Sequence, residues 1–573
     1  MKLNNTKIVI LSLFIVGLVL YFTSFKGPFL WDDYQLVVEN QYIKDWHFIG
    51  NILTQDLFKG SGEGSNWYRP LVGVSYAIDY SVWGLNSVGY HLINLLLHIS
   101  SSIFLYLLTL RLVRLKTFAF LASLIFLIHP VPTEAVSYIS GRTDLLMVFF
   151  ILLSILLLMK SLEISSNKSR KLCLIFSYSS YVFALLSKET AVIFPVLLFL
   201  YLYAYSREKQ TYKYSLTTTL QKLWPYLALS ALYIVSRLTV FNFYNVLMVS
   251  KDNFVYGAGI FGRFLMFLKA LFIYYANLIL PLNLHYRMET SFPITGLDIH
   301  VIFSGLILVA FIAASVFFWR RKPIVSFAIL WFFFALIPVS GIIIPINFIV
   351  GIRWLYLAMI GPIIGLAVLL ADAYSKPKTN KYLKAFVLAL IGCYLVFLAV
   401  LTVNRNDKWS KPAVFFEEMV RFYPADGRLH NLLGIELIKT DPQRGISEFE
   451  IAAKLKPDFA TPYFNLGEYY KNRKEFDQAI GYYQRAIATD KNFIIAYTAI
   501  ASIYAQQKEY DSAVNWLYRL LEIIPDSWKV YSQIGDVYYL DGDLSKARDA
   551  WLKGLSLDPK NQIIWGKLKK IGP

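Results

Sequence analysis

Residues 7–403 are a succession of apolar stretches separated by short basic clusters, and this pattern limits the fold more than any other feature of the chain. Windows long enough to cross a bilayer, about 17–25 residues, fall near 7–25, 90–112, 118–131, 145–160, 172–186, 191–205, 223–243, 264–280, 301–318, 324–344, 354–371 and 384–403, several of them short. The whole chain is 57% hydrophobic and 16% charged, against roughly 45–50% apolar and about 25% charged for soluble domains. These numbers predict an integral membrane protein in contact with membrane lipid. The first window has a basic start but no small-residue cleavage site before "KGPFLWDD", which predicts an uncleaved signal anchor.

The formal charge of +18 raises the question of nucleic acid, but the basic residues gather in "RLVRLK" (111–116), "NKSRK" (167–171), "REKQTYK" (207–213), "WRRK" (319–322) and "SKPKTNKYLK" (375–384). Such clusters between apolar runs are topology signals, so no nucleic-acid partner is expected. Placed in the cytoplasm, they put the N-terminus inside and everything beyond Val403 outside, which requires an odd number of crossings. Twelve windows are one too many. The window with Arg237 or the one with Lys269 is expected to lie along the membrane, leaving about eleven spans. Cys173 and Cys393, the only cysteines, each sit in an apolar run and form no disulfide framework.

Beyond Val403 a period appears. Gly467, Ala501 and Gly535 are 34 residues apart, as are Ala479, Ala513 and Ala547, and Tyr470, Tyr504 and Tyr538. Small residues let paired helices approach, aromatics fill the space between them, and Pro457, Pro525 and Pro559 end the second helix of a pair. The pattern resembles tetratricopeptide (TPR) repeats: about four pairs over 427–559, a half repeat at 410–423 before them and a capping helix at 562–570 behind. The expected fold class is all-α, with a polytopic membrane domain at 1–403 and an α-solenoid at 404–573. Such arrays commonly bind an extended peptide or protein.

Ionisable residues at membrane depth are costly and mark a site or a watery cavity. Here they recur at the outer ends of the spans: Asp32 and Asp33, Arg69, His91, His129, Glu134, Arg142, Asp144, Lys188, Glu189 and Arg353, with His98 placed deeper. Carboxylates beside several cations suit an anionic, phosphate-bearing ligand together with a group to be deprotonated. Simpler roles stand beside these. Glu134 could cap a helix, Arg353 could snorkel at the membrane edge, and Arg142 and Asp144 could pair with each other. No transition-metal ligand spacing and no glycine-rich phosphate loop occurs, which argues against a nucleotide-sugar substrate.

The strings "WDDYQLVVEN", "YRPL", "GYHLINLLLH", "HPVPTEAVSYISGRTDLL" and "SKE", in this order and spacing, are similar to the membrane half of the transmembrane, TPR-bearing O-mannosyltransferases of the GT-C glycosyltransferase superfamily. The resemblance implies an inverting transfer of one sugar from a polyprenyl-phosphate carrier to a hydroxyl, such as Ser or Thr of an exported protein held by the repeats, on the non-cytoplasmic side of a prokaryotic cytoplasmic membrane. It implies that one of Asp32 and Asp33 is the base and the other positions the acceptor or binds a cation; the sequence does not rank them. Glu134, His129, His91 and Arg69 are then expected to line the acceptor or sugar pocket, and Arg353, Arg142 and Lys188 to bind the donor phosphate. No cofactor is called for, a divalent cation being the one left open. Two departures stand out: Pro132 replaces a second histidine after the His-Pro pair, and Ile352 replaces a glutamate before Arg353. They are the best argument for the alternative, a non-catalytic scaffold that displays the repeats to envelope complexes.

Overall fold

Side-chain caps start three of the long apolar helices. Asn86 accepts from the Val88 N–H ahead of Ser87–Leu112, Asp298 from His300 ahead of Ile299–Arg321, and Asn380 from Tyr382 ahead of Lys381–Trp409. Each satisfies an N–H that the helix cannot pair internally. Pro70 and Pro323 open Pro70–Trp83 and Pro323–Leu336, where the missing N–H costs nothing.

A computed structural model describes residues 6–113, 115–209, 216–243, 259–282, 284, 298–346, 350–375 and 380–571. Parts of the basic clusters at 111–116, 207–213 and 375–384, and of the stretch 345–354, lie outside the described residues. Among the described residues the protein is helical, with no β-strand, as the apolar and repeat patterns predict. It divides into two compact units, Met1–Lys411 and Pro412–Pro573. The last apolar helix continues past Val403 to Trp409.

Among the described residues of the first unit six helices are long and apolar enough to cross a membrane: Ser87–Leu112, Ile139–Glu163, Glu189–Arg207, Ile260–Ile279, Ile299–Arg321 and Lys381–Trp409. A seventh is the bent pair Ile352–Ala358 and Ile360–Ser375, broken by 49°. This is a multi-pass membrane architecture. Eleven crossings would also need shorter apolar helices such as Thr6–Leu20 and Lys116–Ile128, and the count stands as an expectation. Of the two windows with a central cation, Ile260–Ile279 qualifies, its Lys269 reaching Asp298 at 2.9 Å. Leu216–Leu238 does not qualify; its Arg237 donates to the Asn66 carbonyl at 2.6 Å.

Hydroxyls and small residues hold the bundle where aliphatic packing alone would not set register. Ser154 and Ser177 donate to each other's carbonyls, at 2.8 and 2.7 Å, between Arg142–Glu163 and Asn167–Ser187. At the 49° break the Leu357 carbonyl accepts from the Trp331 indole at 2.9 Å, so the bend leaves that acceptor paired inside the core.

The second unit holds the expected pairs: Gly427–Leu437 with Pro442–Leu455, Thr461–Asn472 with Phe476–Thr489, Ile494–Gln506 with Tyr510–Ile523, and Trp528–Asp541 with Leu544–Leu557. Pro412–Phe422 precedes them and Gln562–Lys570 follows. The small residues of the period do what their size permits. A Cβ on Gly467 would stand 2.5 Å from the Tyr483 ring, and one on Gly535 2.4 Å from the Trp551 ring. The same two aromatics donate to the carboxylate that directly follows the glycine, Tyr483 to Glu468 at 2.5 Å and Trp551 to Asp536 at 3.2 Å.

Candidate functional site

The acidic pair sits on a backbone that few side chains tolerate. Trp31, just before it, has φ of 48°, unusual for a bulky residue. Its ring is held edge-on against Tyr138 at 5.8 Å and Trp409 at 6.2 Å, while Tyr138 and Trp409 stack at 5.6 Å. A single π-helical turn, Tyr34–Val38, follows.

This turn points the neighbouring carboxylates at different surroundings. Asp33 is buried, and both its oxygens are occupied: Oδ2 accepts from the Leu30 N–H at 2.9 Å, and Oδ1 from the Ser140 N–H at 2.8 Å and from the Ser140 hydroxyl. Burial nevertheless pushes its carboxyl up to about 7. Asp32 is partly exposed, and its N–H donates to the Tyr138 hydroxyl at 3.2 Å. Burial raises its carboxyl as well, but the charges of Arg353 and Arg69 and a hydrogen bond from Tyr138 favour its ionised form. Asp32 therefore shares its surroundings with two cations and a hydroxyl, whereas Asp33 ties its own loop to the one that carries Ser140.

Around Asp32 the charges fall into pairs. Arg353 Nε lies 3.9 Å from Glu134 Oε1. Burial pushes Glu134 up to about 7, against the pull of Arg353 and of Arg405 on the last helix. Arg69 makes a two-pronged contact with Glu189, at 3.0 and 2.6 Å, with its guanidinium 5.0 Å from the Trp67 ring centre. Lys188 Nζ lies 2.6 Å from Asp144 Oδ1, both buried.

Four expected site residues are engaged inside the protein. Arg142 is wholly buried and does not pair with Asp144: it pairs with Asp79, donates to Asn94 Oδ1 at 2.8 Å and to the Tyr90 carbonyl at 2.9 Å, and lies over the Tyr76 ring at 4.8 Å. With its donors engaged inside the protein it is not placed to hold a phosphate. His129 donates from Nε2 to the Leu278 carbonyl at 3.3 Å and accepts at Nδ1 from the Val131 N–H at 3.2 Å, so both ring nitrogens are engaged. His91 is buried and bonds the Gly27 carbonyl at 3.1 Å. Both histidines are buried and brace loops through these bonds. Lys188 is held by Asp144, so its charge is already balanced.

Several residues that shape the site escaped the sequence reading. Tyr138 and Ser140 lie inside the string "HPVPTEAVSYISGRTDLL", but nothing local marks them as partners of the acidic pair. Asn94 did not escape it, standing out with His91 and His98 as a polar residue of "GYHLINLLLH"; its Nδ2 reaches the carbonyls of Val136, Tyr138 and Ile139, each at 3.3 Å, and so fixes the course of that loop. Asp79 and Arg405 carried no sequence signal. Among the described residues no group of three or more His, Cys, Asp or Glu could hold a metal ion.

The tetratricopeptide repeat family matches the chain at residues 460–493 and again at 494–527. Protein O-mannosyl-transferase F38B6.6 of Caenorhabditis elegans is 25% identical over 438 residues, covering 74% of this chain and 59% of that protein. Protein O-mannosyl-transferase TMTC3 of Mus musculus is 25% identical over 603 residues, covering 96% of this chain and 64% of that protein. Protein O-mannosyl-transferase TMTC4 of the same species is 34% identical over 171 residues, covering 27% and 23%. The chain is thus similar along nearly its whole length to TMTC-type proteins, and it spans about 60% of the length of the first two relatives.

Proposed function

We propose that this chain, similar throughout to proteins named protein O-mannosyl-transferases, is itself a membrane glycosyltransferase that moves one sugar from a polyprenyl-phosphate donor to a hydroxyl of an exported protein. Asp32 takes the proton of the acceptor hydroxyl, whose oxygen attacks the anomeric carbon from the face opposite the phosphate. The bond from that carbon to the phosphate oxygen breaks, and its electron pair leaves with the phosphate. Arg353, held near Glu134, faces the charge that develops there. Inversion at the anomeric carbon follows from the single displacement. Asp33 keeps the loop in place, and the repeats hold the acceptor on the non-cytoplasmic side.

The observation that carries this reading is the difference between the two aspartates: Asp32 is left with cations and a hydroxyl, while Asp33 has both oxygens occupied by fixed donors. The test uses purified protein, a polyprenyl-phosphate mannose and a Ser/Thr-rich acceptor. Asp32→Asn should lower turnover by about 10²–10⁴-fold, the usual worth of a positioned base, with donor binding unchanged. Transfer at the wild-type rate by Asp32→Asn would take the role of base away from Asp32, and only the absence of transfer by the wild type would favour the scaffold.

A further inference from the structure

A cleft of about 690 Å³ lies in the membrane unit, lined by Ile312, Val316, Phe317, Arg320 and Arg321 of Ile299–Arg321 and by Leu330 of Pro323–Leu336. It shares no lining residue with the surroundings of Asp32. Pro323–Leu336 rises about 21 Å; beyond its far end Ile337–Val339 packs against Glu189–Ile193, beside the charge pairs, while its Pro323 end follows directly from the two arginines.

Three observations bear on what fills the cleft. Ile299–Arg321 is among the most apolar helices of the chain, yet only 17% of its apolar window is covered by protein, so its surface is turned to lipid. Val316 is 72% exposed. Where the helix ends, the chemistry changes abruptly: two arginines line the cleft, no acidic residue does, and neither arginine has an ion pair among the described residues. The Arg321 guanidinium lies 4.0 Å from the Phe317 ring centre, which keeps it against the wall of the cleft. The turn itself offers no competing anion site, since the Lys322 and Val325 N–H groups are already bonded to the Phe318 and Lys322 carbonyls. An apolar wall under a pair of unneutralised guanidiniums matches a molecule with an acyl chain and an anionic phosphodiester.

We propose that this cleft binds an anionic phospholipid of the surrounding bilayer, with the phosphodiester against Arg320 and Arg321 and one acyl chain along Ile312, Val316 and Leu330. The two cations select for net negative charge, because a zwitterionic headgroup brings its own ammonium to the same place. The site needs nothing from the transfer reaction and stands whether or not that reading of Asp32 holds.

The full chain, purified in detergent and given equal amounts of phosphatidylglycerol and phosphatidylcholine, can be examined by native mass spectrometry for retained lipid. Wild type should keep phosphatidylglycerol over phosphatidylcholine by about tenfold. Arg320→Gln with Arg321→Gln should bring that ratio near one without shifting the unfolding midpoint. Val316→Trp, which fills the apolar wall and leaves both arginines in place, should reduce retention of phosphatidylglycerol severalfold. An unchanged preference in the double glutamine variant overturns the proposal. So does full retention in Val316→Trp, which would mean that lipid meets the arginines at the open surface and not in the cleft.

Discussion

Arg353 and Glu134 face each other at 3.9 Å in the membrane unit, although 219 positions separate them in the sequence. The carboxylate missing at Ile352 is in this sense supplied from elsewhere: the arginine has an acidic neighbour in space that it lacks in sequence. Because burial pushes Glu134 up to about 7, its negative charge is present above that pH and lost below it. Transfer should therefore rise through a limb near pH 7. In Glu134→Gln that limb should vanish and kcat/KM should fall about tenfold, the scale of one charge-assisted contact. A pH profile unchanged by Glu134→Gln would show that the pair does not govern Arg353.

Asp33 should fail differently from Asp32. Asp33→Ala removes the acceptor for two buried N–H groups, those of Leu30 and Ser140, at about 1–3 kcal/mol each. Its unfolding midpoint should drop, whereas Asp32→Asn should unfold like wild type. Thermal unfolding of both variants in one detergent decides the matter, and equal midpoints would remove the structural role given to Asp33.

Arg142 is the centre of a buried network, and its loss leaves Asp79 charged with no partner. Arg142→Met should cost about 3–5 kcal/mol, and adding Asp79→Asn should restore part of it. A double-mutant cycle by thermal unfolding reads the coupling. Strictly additive effects would mean that the two side chains do not depend on each other.

In the repeats, Lys474 (φ 62°) and Lys508 (φ 64°) occupy the left-handed conformation that Gly542 (φ 87°) adopts one repeat later. Glycine takes this conformation without the Cβ clash, at some cost in unfolded-state entropy. Lys474→Gly and Lys508→Gly should each stabilise the repeat unit by about 0.5–1 kcal/mol. A fall in the unfolding midpoint would show that the lysine side chains contribute more than their backbones cost.

The repeats were legible because their signal is a size requirement that recurs: Gly467 and Gly535 meet an aromatic ring at a distance no Cβ allows, and the spacing repeats with the helices. The acidic pair was legible as a pair but not as two roles, since the division depends on Ser140 and Tyr138 arriving from another loop. Arg142 was misread for a related reason. Asp144 is its neighbour in sequence, while Asp79 and Asn94 are its neighbours only after helices pack. The histidines suggested chemistry by type, but burial and full hydrogen bonding of His129 give it a bracing role. Arg405 lay past the point where hydropathy falls, although the helix that carries it continues to Trp409.

The bonds from Ser140 to Asp33 have a mechanical consequence. They fasten the loop of the acidic pair to the loop of Glu134 and Tyr138, and Asn94 rivets the second loop to a long helix through three carbonyls. Neither loop can swing without dragging the other, so together they act as one fixed jaw. Any movement that widens the space beside Asp32 would therefore have to come from elements outside this jaw, because the jaw itself moves only as a piece.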